Sequence, residues 1–196
     1  MIREDEGFRI PSLTEIQDEM HRVKSQDKFD RALWSTFGTV LVVVAVAVLV
    51  ASIFLPVLRV TGTSMVPNFE PGDVLVAFKT NKFDTGDICT FYYNSKLIVK
   101  RVIAVGGDTV DINEDGRVSV NGKMLEEPYV KNFALGLSDV EFPFEVPSGQ
   151  LFLLGDNRGT SVDSRSTEFG CINAEEVLGK VFLRSWPIDA FRFFGL

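Results

Sequence analysis

The sequence predicts a mostly β protein, an antiparallel sheet or barrel-like domain carried behind a single N-terminal transmembrane helix. Three observations lead there. No charged residue occurs from Ala32 to Leu58. Beyond that run, short stretches rich in branched and aromatic residues alternate with glycine, proline, asparagine and aspartate turns. No segment of useful length after residue 58 shows a helical period.

The uncharged run comes first in the argument. A helix needs about 20 apolar residues to cross a hydrocarbon core of roughly 30 Å, and Ala32–Leu58 is long enough. A core helix of this length would carry a polar face, and Val40–Val50 has only Val, Leu and Ala. The run is internal and lacks a small-residue cleavage signal, unlike a removable leader. Trp34 stands near one end, where an interfacial ring is expected, and Pro56 helps to stop the helix at the other. Arg22, Lys24, Lys28 and Arg31 precede the run, whereas only Arg59 lies between it and Lys79. This bias puts the N-terminus in the cytoplasm and the rest of the chain outside. The division is therefore 1–31, a charged cytoplasmic tail; 32–58, the transmembrane helix; and 59–196, an extracytoplasmic β-rich domain. Within the tail, Leu13, Ile16, Met20 and Val23 give Ser12–Arg31 the spacing of a short amphipathic helix.

The predicted strands are Val74–Phe78, Ile88–Tyr93, Ile98–Val105, Thr109–Ile112, Arg117–Val120, Gln150–Leu154 and Val177–Arg184. Pro71-Gly72-Asp73, Thr85-Gly86-Asp87, Gly106-Gly107-Asp108, Glu114-Asp115-Gly116 and Asn121-Gly122 punctuate them. Residues 131–149 read as a longer excursion broken by Gly136, Pro143 and Pro147. The terminal Phe191, Phe193 and Phe194 fit either a membrane interface or core packing.

Composition removes several functions. The net charge of −7 gives no basic footprint for nucleic acid. Cys89 and Cys171 match no zinc spacing, and no other motif asks for a metal or cofactor. They read as buried free thiols, with pairing left open on an oxidising side. His21 is the sole histidine and falls in the tail. A Ser-His-Asp triad in the external domain has no base to use.

Three clusters carry chemistry. They are Thr61-Gly62-Thr63-Ser64-Met65-Val66-Pro67, then Val99-Lys100-Arg101-Val102-Ile103, then Gly155-Asp156-Asn157-Arg158-Gly159-Thr160-Ser161-Val162-Asp163-Ser164-Arg165. A serine hydroxyl needs a base to become a nucleophile. A lysine serves only when neutral, against an unperturbed pKa of about 10.4, and burial among apolar groups lowers that value. In a strand, Lys100 shares a face with Ile98 and Val102, and Arg101 points the other way.

In these boxes, in their order and behind a membrane anchor, the chain resembles the bacterial type I signal peptidases, or leader peptidases, over about residues 33–185. The resemblance implies a serine protease with Ser64 as nucleophile and Lys100 as general base. It implies that Ser161 orients the lysine amine and that Asp156, Arg101, Asp163 and Arg165 form ion pairs shaping the site. Its substrates would be secretory preproteins, cut after small residues of the Ala-x-Ala type at the surface of a phospholipid membrane. Met65 and Val66, with Phe69 and the Ile98–Ile103 strand, are candidates for the apolar substrate pockets. Two positions depart from the family pattern. Some members carry a second oxyanion hydroxyl two residues before the nucleophile, where this chain has Gly62. Asn68 replaces a frequent threonine, with little effect on chemistry expected. The self-cleaving SOS repressors share a Ser-Met box and a downstream lysine, but they carry a DNA-binding domain where this chain has its span. A tethered binding module without activity is the other rival, and it sits poorly with Ser64, Lys100 and Ser161 all being present.

Overall fold

The computed structural model describes residues 12–194. The first eleven residues of the charged tail lie outside the described residues. The chain divides into two compact units, 1–51 and 52–196.

The first unit is helical. Helix α1 runs without a break over Leu13–Phe54, so the amphipathic segment and the apolar run form one element. Nothing in this stretch interrupts it, because proline is absent until Pro56. The apolar part, Arg31–Phe54, spans 24 residues, about 36 Å of helix, and is long enough to cross a membrane. The helix stops at Phe54, short of the end of the uncharged run. Pro56 disfavours helical backbone at Leu55 and brings no N–H of its own. The remaining residues of the run change role: Val57–Arg59 is strand β1, and Leu58 is buried in the core of the second unit.

The second unit is built on two antiparallel sheets. The larger has the order β1, β2 (Val74–Phe78), β11 (Val177–Trp186), β3 (Ile88–Tyr93), β4 (Lys96–Val105), β9 (Gln150–Leu154) and β10 (Ile172–Asn173). Strand β12 (Arg192–Phe193) pairs with the last part of β11. The smaller sheet has the order β7 (Lys123–Met124), β6 (Val118–Val120), β5 (Thr109–Ile112) and β8 (Phe144–Glu145). Among the described residues after Phe54, helix is limited to two short 3-10 turns, Ala174–Glu176 and Ile188–Ala190.

The central strands read as unbroken apolar runs because both of their faces are covered. On β9, Leu151 and Leu153 enter one cluster with Cys89, Phe91, Val102 and Phe169. Phe152 and Leu154 enter another with Ile103, Val110, Val118 and Val146, which joins the two sheets. A third cluster packs Leu58, Met65, Phe69, Leu75 and Val99. The terminal aromatics divide: Phe194 packs on Phe69 with ring centroids 5.1 Å apart, whereas Phe191 and Phe193 are exposed.

One asymmetry in the large sheet positions the site. Strand β3 pairs with β4 along Lys96–Arg101, but β9 pairs with β4 only from Arg101 to Val105. The stretch Lys96–Lys100 therefore has a strand neighbour on one side only.

Candidate active site

Beside that open edge lies a groove of about 270 Å³, lined by residues 59–62, Ser64, Met65, 96–100 and Val162. Ser64 and Lys100 both face it. Ser64 is half-buried in the turn after β1. No group of the chain bonds its hydroxyl or its backbone N–H among the described residues.

Lys100 is 2% exposed. Its cross-strand partner is the buried Cys89, and its amine lies 5.9 Å from the centroid of the Phe169 ring. Lys100 Nζ donates to Ser161 Oγ at 2.7 Å. Burial pushes its pKa down to about 8, with the nearby Arg165 cation acting in the same direction and Asp163, Asp156 and Cys89 opposing it. An amine of this kind is partly neutral near pH 8 and can accept a proton.

Asn157 links the two residues through its backbone. Its N–H donates to Ser64 O at 2.9 Å, and its carbonyl accepts from Ser161 N at 3.0 Å. Gly155 allows this close approach. A Cβ at that position would fall 2.2 Å from Ser161 Oγ and 2.5 Å from Ser64 O.

Ion pairs brace the surrounding loop. Arg101 forms a bidentate pair with Asp156, at 2.8 Å from Nε and 2.7 Å from Nη2, and donates from Nη1 to Gly86 O. Its guanidinium lies 3.8 Å from the centroid of the Tyr129 ring. Asp163 accepts from Arg165 Nε at 2.8 Å and from Gly155 N at 3.0 Å. Arg165 also donates to the carbonyls of Ala134 and Leu135, so the 131–149 excursion is tied to this loop.

Of the residues singled out from sequence, Ser64, Met65 and Lys100 line the groove. Ser161, Asp156, Arg101, Asp163 and Arg165 gather behind it. Val66 is half-buried in the turn and is not a lining residue; its N–H donates to Thr63 O at 3.2 Å. Phe69 is fully buried beneath Phe194, away from the lining. Both cysteines are free. Sequence reasoning missed three contributors. Arg158 and Glu127 form a fully buried ion pair. Asn68, from which little effect on chemistry was expected, donates to Asp156 Oδ2 at 2.8 Å and to Tyr129 O at 2.7 Å and so holds part of the network. Arg158 stood in the third box and was legible there; nothing local to Glu127 marks it.

The model of the family described as "Signal peptidase, peptidase S26" matches residues 33–186. This chain belongs to that family. Signal peptidase I of Bacillus caldolyticus is 36% identical over 187 residues, covering 87% of this chain and 98% of the relative. Signal peptidase IB of Staphylococcus aureus MRSA252 is 34% identical over 155 residues, covering 68% of this chain and 79% of the relative. A crystal structure of a signal peptidase I from Enterococcus faecalis V583 aligns with a TM-score of 0.41 at 31% identity, covering 50% of this chain and 96% of that one. Membership in the S26 family makes the chain a signal peptidase I homologue and hence a serine peptidase.

Proposed function

We propose that this S26 peptidase is a membrane-bound endopeptidase that removes N-terminal signal peptides from exported preproteins. The observation that carries the reading is a buried lysine amine, bonded to Ser161, opening on the same groove as Ser64. In this mechanism neutral Lys100 takes the Ser64 hydroxyl proton as Oγ attacks the scissile carbonyl. The Ser64 N–H stabilises the oxyanion. The lysine ammonium then protonates the departing amine. The resulting ester is hydrolysed by a water that Lys100 deprotonates, and Ser64 is restored.

The substrate would lie as an added strand along the open edge of Lys96–Lys100, the mode in which backbone bonds give affinity and alternate side chains give specificity. Leu97, Ile98, Val99 and Met65 make the lining apolar. Small residues of the Ala-x-Ala type suit a groove of about 270 Å³ with an apolar lining beside the nucleophile. The span Arg31–Phe54 would anchor the enzyme in a phospholipid membrane. The basic residues ahead of it support a cytoplasmic N-terminus and an extracytoplasmic domain from about residue 59.

The test uses the purified full-length chain in detergent with a preprotein substrate. Wild type releases the signal peptide, and Ser64→Ala and Lys100→Arg do not, since a guanidinium keeps its proton at any workable pH. An intact preprotein after incubation with wild type, or cleavage by Ser64→Ala, would overturn the reading.

A further inference from the structure

We propose that the side-chain amide of Asn157 is a positioning group for the oxyanion contact, aiming the Ser64 N–H into the groove. The inference rests on the reading of Ser64 as nucleophile.

Asn157 holds two successive carbonyls of the nucleophile turn. Its backbone N–H donates to Ser64 O at 2.9 Å, and its Nδ2 donates to Thr63 O at 3.3 Å. The Thr63–Ser64 peptide is not among the cis bonds of the chain. In a trans peptide the C=O and the following N–H share one plane and point to opposite sides. Fixing the Thr63 carbonyl therefore fixes the direction of the Ser64 N–H. That N–H meets no acceptor among the described residues, and Ser64 lines the groove. It is left for a group that enters from outside.

The need for such control follows from Gly62. It offers no hydroxyl to share the oxyanion, so the burden falls on fewer donors. A single N–H stabilises a developing charge only if it is aimed before the charge appears. Asn157 is not alone in holding the plane, because Val66 N also donates to Thr63 O, at 3.2 Å. Removing the amide loosens the aim without abolishing it. The expected loss is about 10-fold in kcat, below the ~100- to 1000-fold of deleting a donor outright.

The experiment compares full-length wild type with Asn157→Ala and Asn157→Asp, each checked for native thermal unfolding. Asn157→Ala should lower kcat about 10-fold with KM within about twofold, the pattern of an interaction made in the transition state. Asn157→Asp places an acceptor against the Thr63 carbonyl and should lose more. A peptide aldehyde, whose serine adduct carries an oxygen in the oxyanion position, should lose affinity in parallel with kcat/KM. The acidic limb of the pH–rate profile should stay in place. Gly62→Ser added to Asn157→Ala should recover part of the rate by supplying a second donor. Should Asn157→Ala not fold, Asn157→Ser carries the same expectation. An unchanged kcat, a loss confined to KM, or a displaced acidic limb would overturn the inference and leave preprotein cleavage by wild type unaffected.

Discussion

Lys100 Nζ and Ser161 Oγ stand 2.7 Å apart in a site where both residues are almost fully buried. A hydroxyl suits this place because it accepts from an ammonium and can turn to donate to a neutral amine. Ser161 itself is fixed by the Asn157 carbonyl, and Asn157 is fixed on Ser64. The turn that carries Ser64 and the buried amine thus belong to one short chain of hydrogen bonds.

The pH dependence of activity follows from the amine. Burial brings Lys100 down to about 8, and in the proposed mechanism Lys100 acts as base only when neutral. Below that value most of the amine is protonated, and the proposed mechanism then leaves the enzyme idle. The kcat/KM for a preprotein should rise about tenfold per pH unit below the pKa and level off above it. A profile flat from pH 6 to pH 9 would show that another group is the base.

Lys100→Met should separate activity from stability. The lowered pKa means the fold disfavours the ammonium, a cost present below about pH 8 and relieved as pH rises toward the unfolded value of 10.5. The full difference is on the order of 3 kcal/mol at neutral pH. Met keeps the apolar volume but leaves Ser161 without its partner, so the net gain should be about 1–3 kcal/mol at pH 7. The variant should be inactive, with a raised denaturation midpoint whose advantage shrinks above pH 8.

Gly62→Ser is open to a direct trial. No atom lies within 4 Å of a Cβ built there. Stability should stay within about 0.5 kcal/mol of wild type, as for a surface exchange without strain. If the new hydroxyl reaches the oxyanion, kcat should rise; a fall of more than a few-fold would mean that the groove needs the space Gly62 leaves.

The buried pair of Arg158 and Glu127 gives the largest expected structural effect. Glu127→Ala leaves a buried guanidinium without its carboxylate, at a cost of about 3–5 kcal/mol. Replacing both partners with apolar residues of similar volume should cost much less. Equilibrium denaturation of the single and double variants measures the difference.

The strands at Val74–Phe78, Ile88–Tyr93, Thr109–Ile112 and Gln150–Leu154 were legible in full, because turn residues bracket each run and their centres are buried. Strands of two residues were not. Lys123–Met124 and Arg192–Phe193 are too short for a period to show, and their pairing is decided by distant neighbours. Val57–Leu58 misled for another reason: an apolar pair serves equally as the end of a membrane helix or as core, and only Pro56 marks the change. At the site, Ser64, Lys100 and Ser161 could be picked out because each sits in a compact local box that resembles a family signature. Glu127 and Asn68 could not, because their roles arise from partners far along the chain.

Cys89 lies across from Lys100 on the neighbouring strand, and burial holds its thiol far above the usual range. In the folded protein it is therefore shielded from alkylating reagents, and such reagents should not inhibit through Cys89. The thiol becomes reactive only when β3 and β4 part, the same event that would expose the Lys100 amine to water. The rate of Cys89 labelling in native buffer, read apart from that of the half-buried Cys171, is then a clock on the breathing of that strand pair.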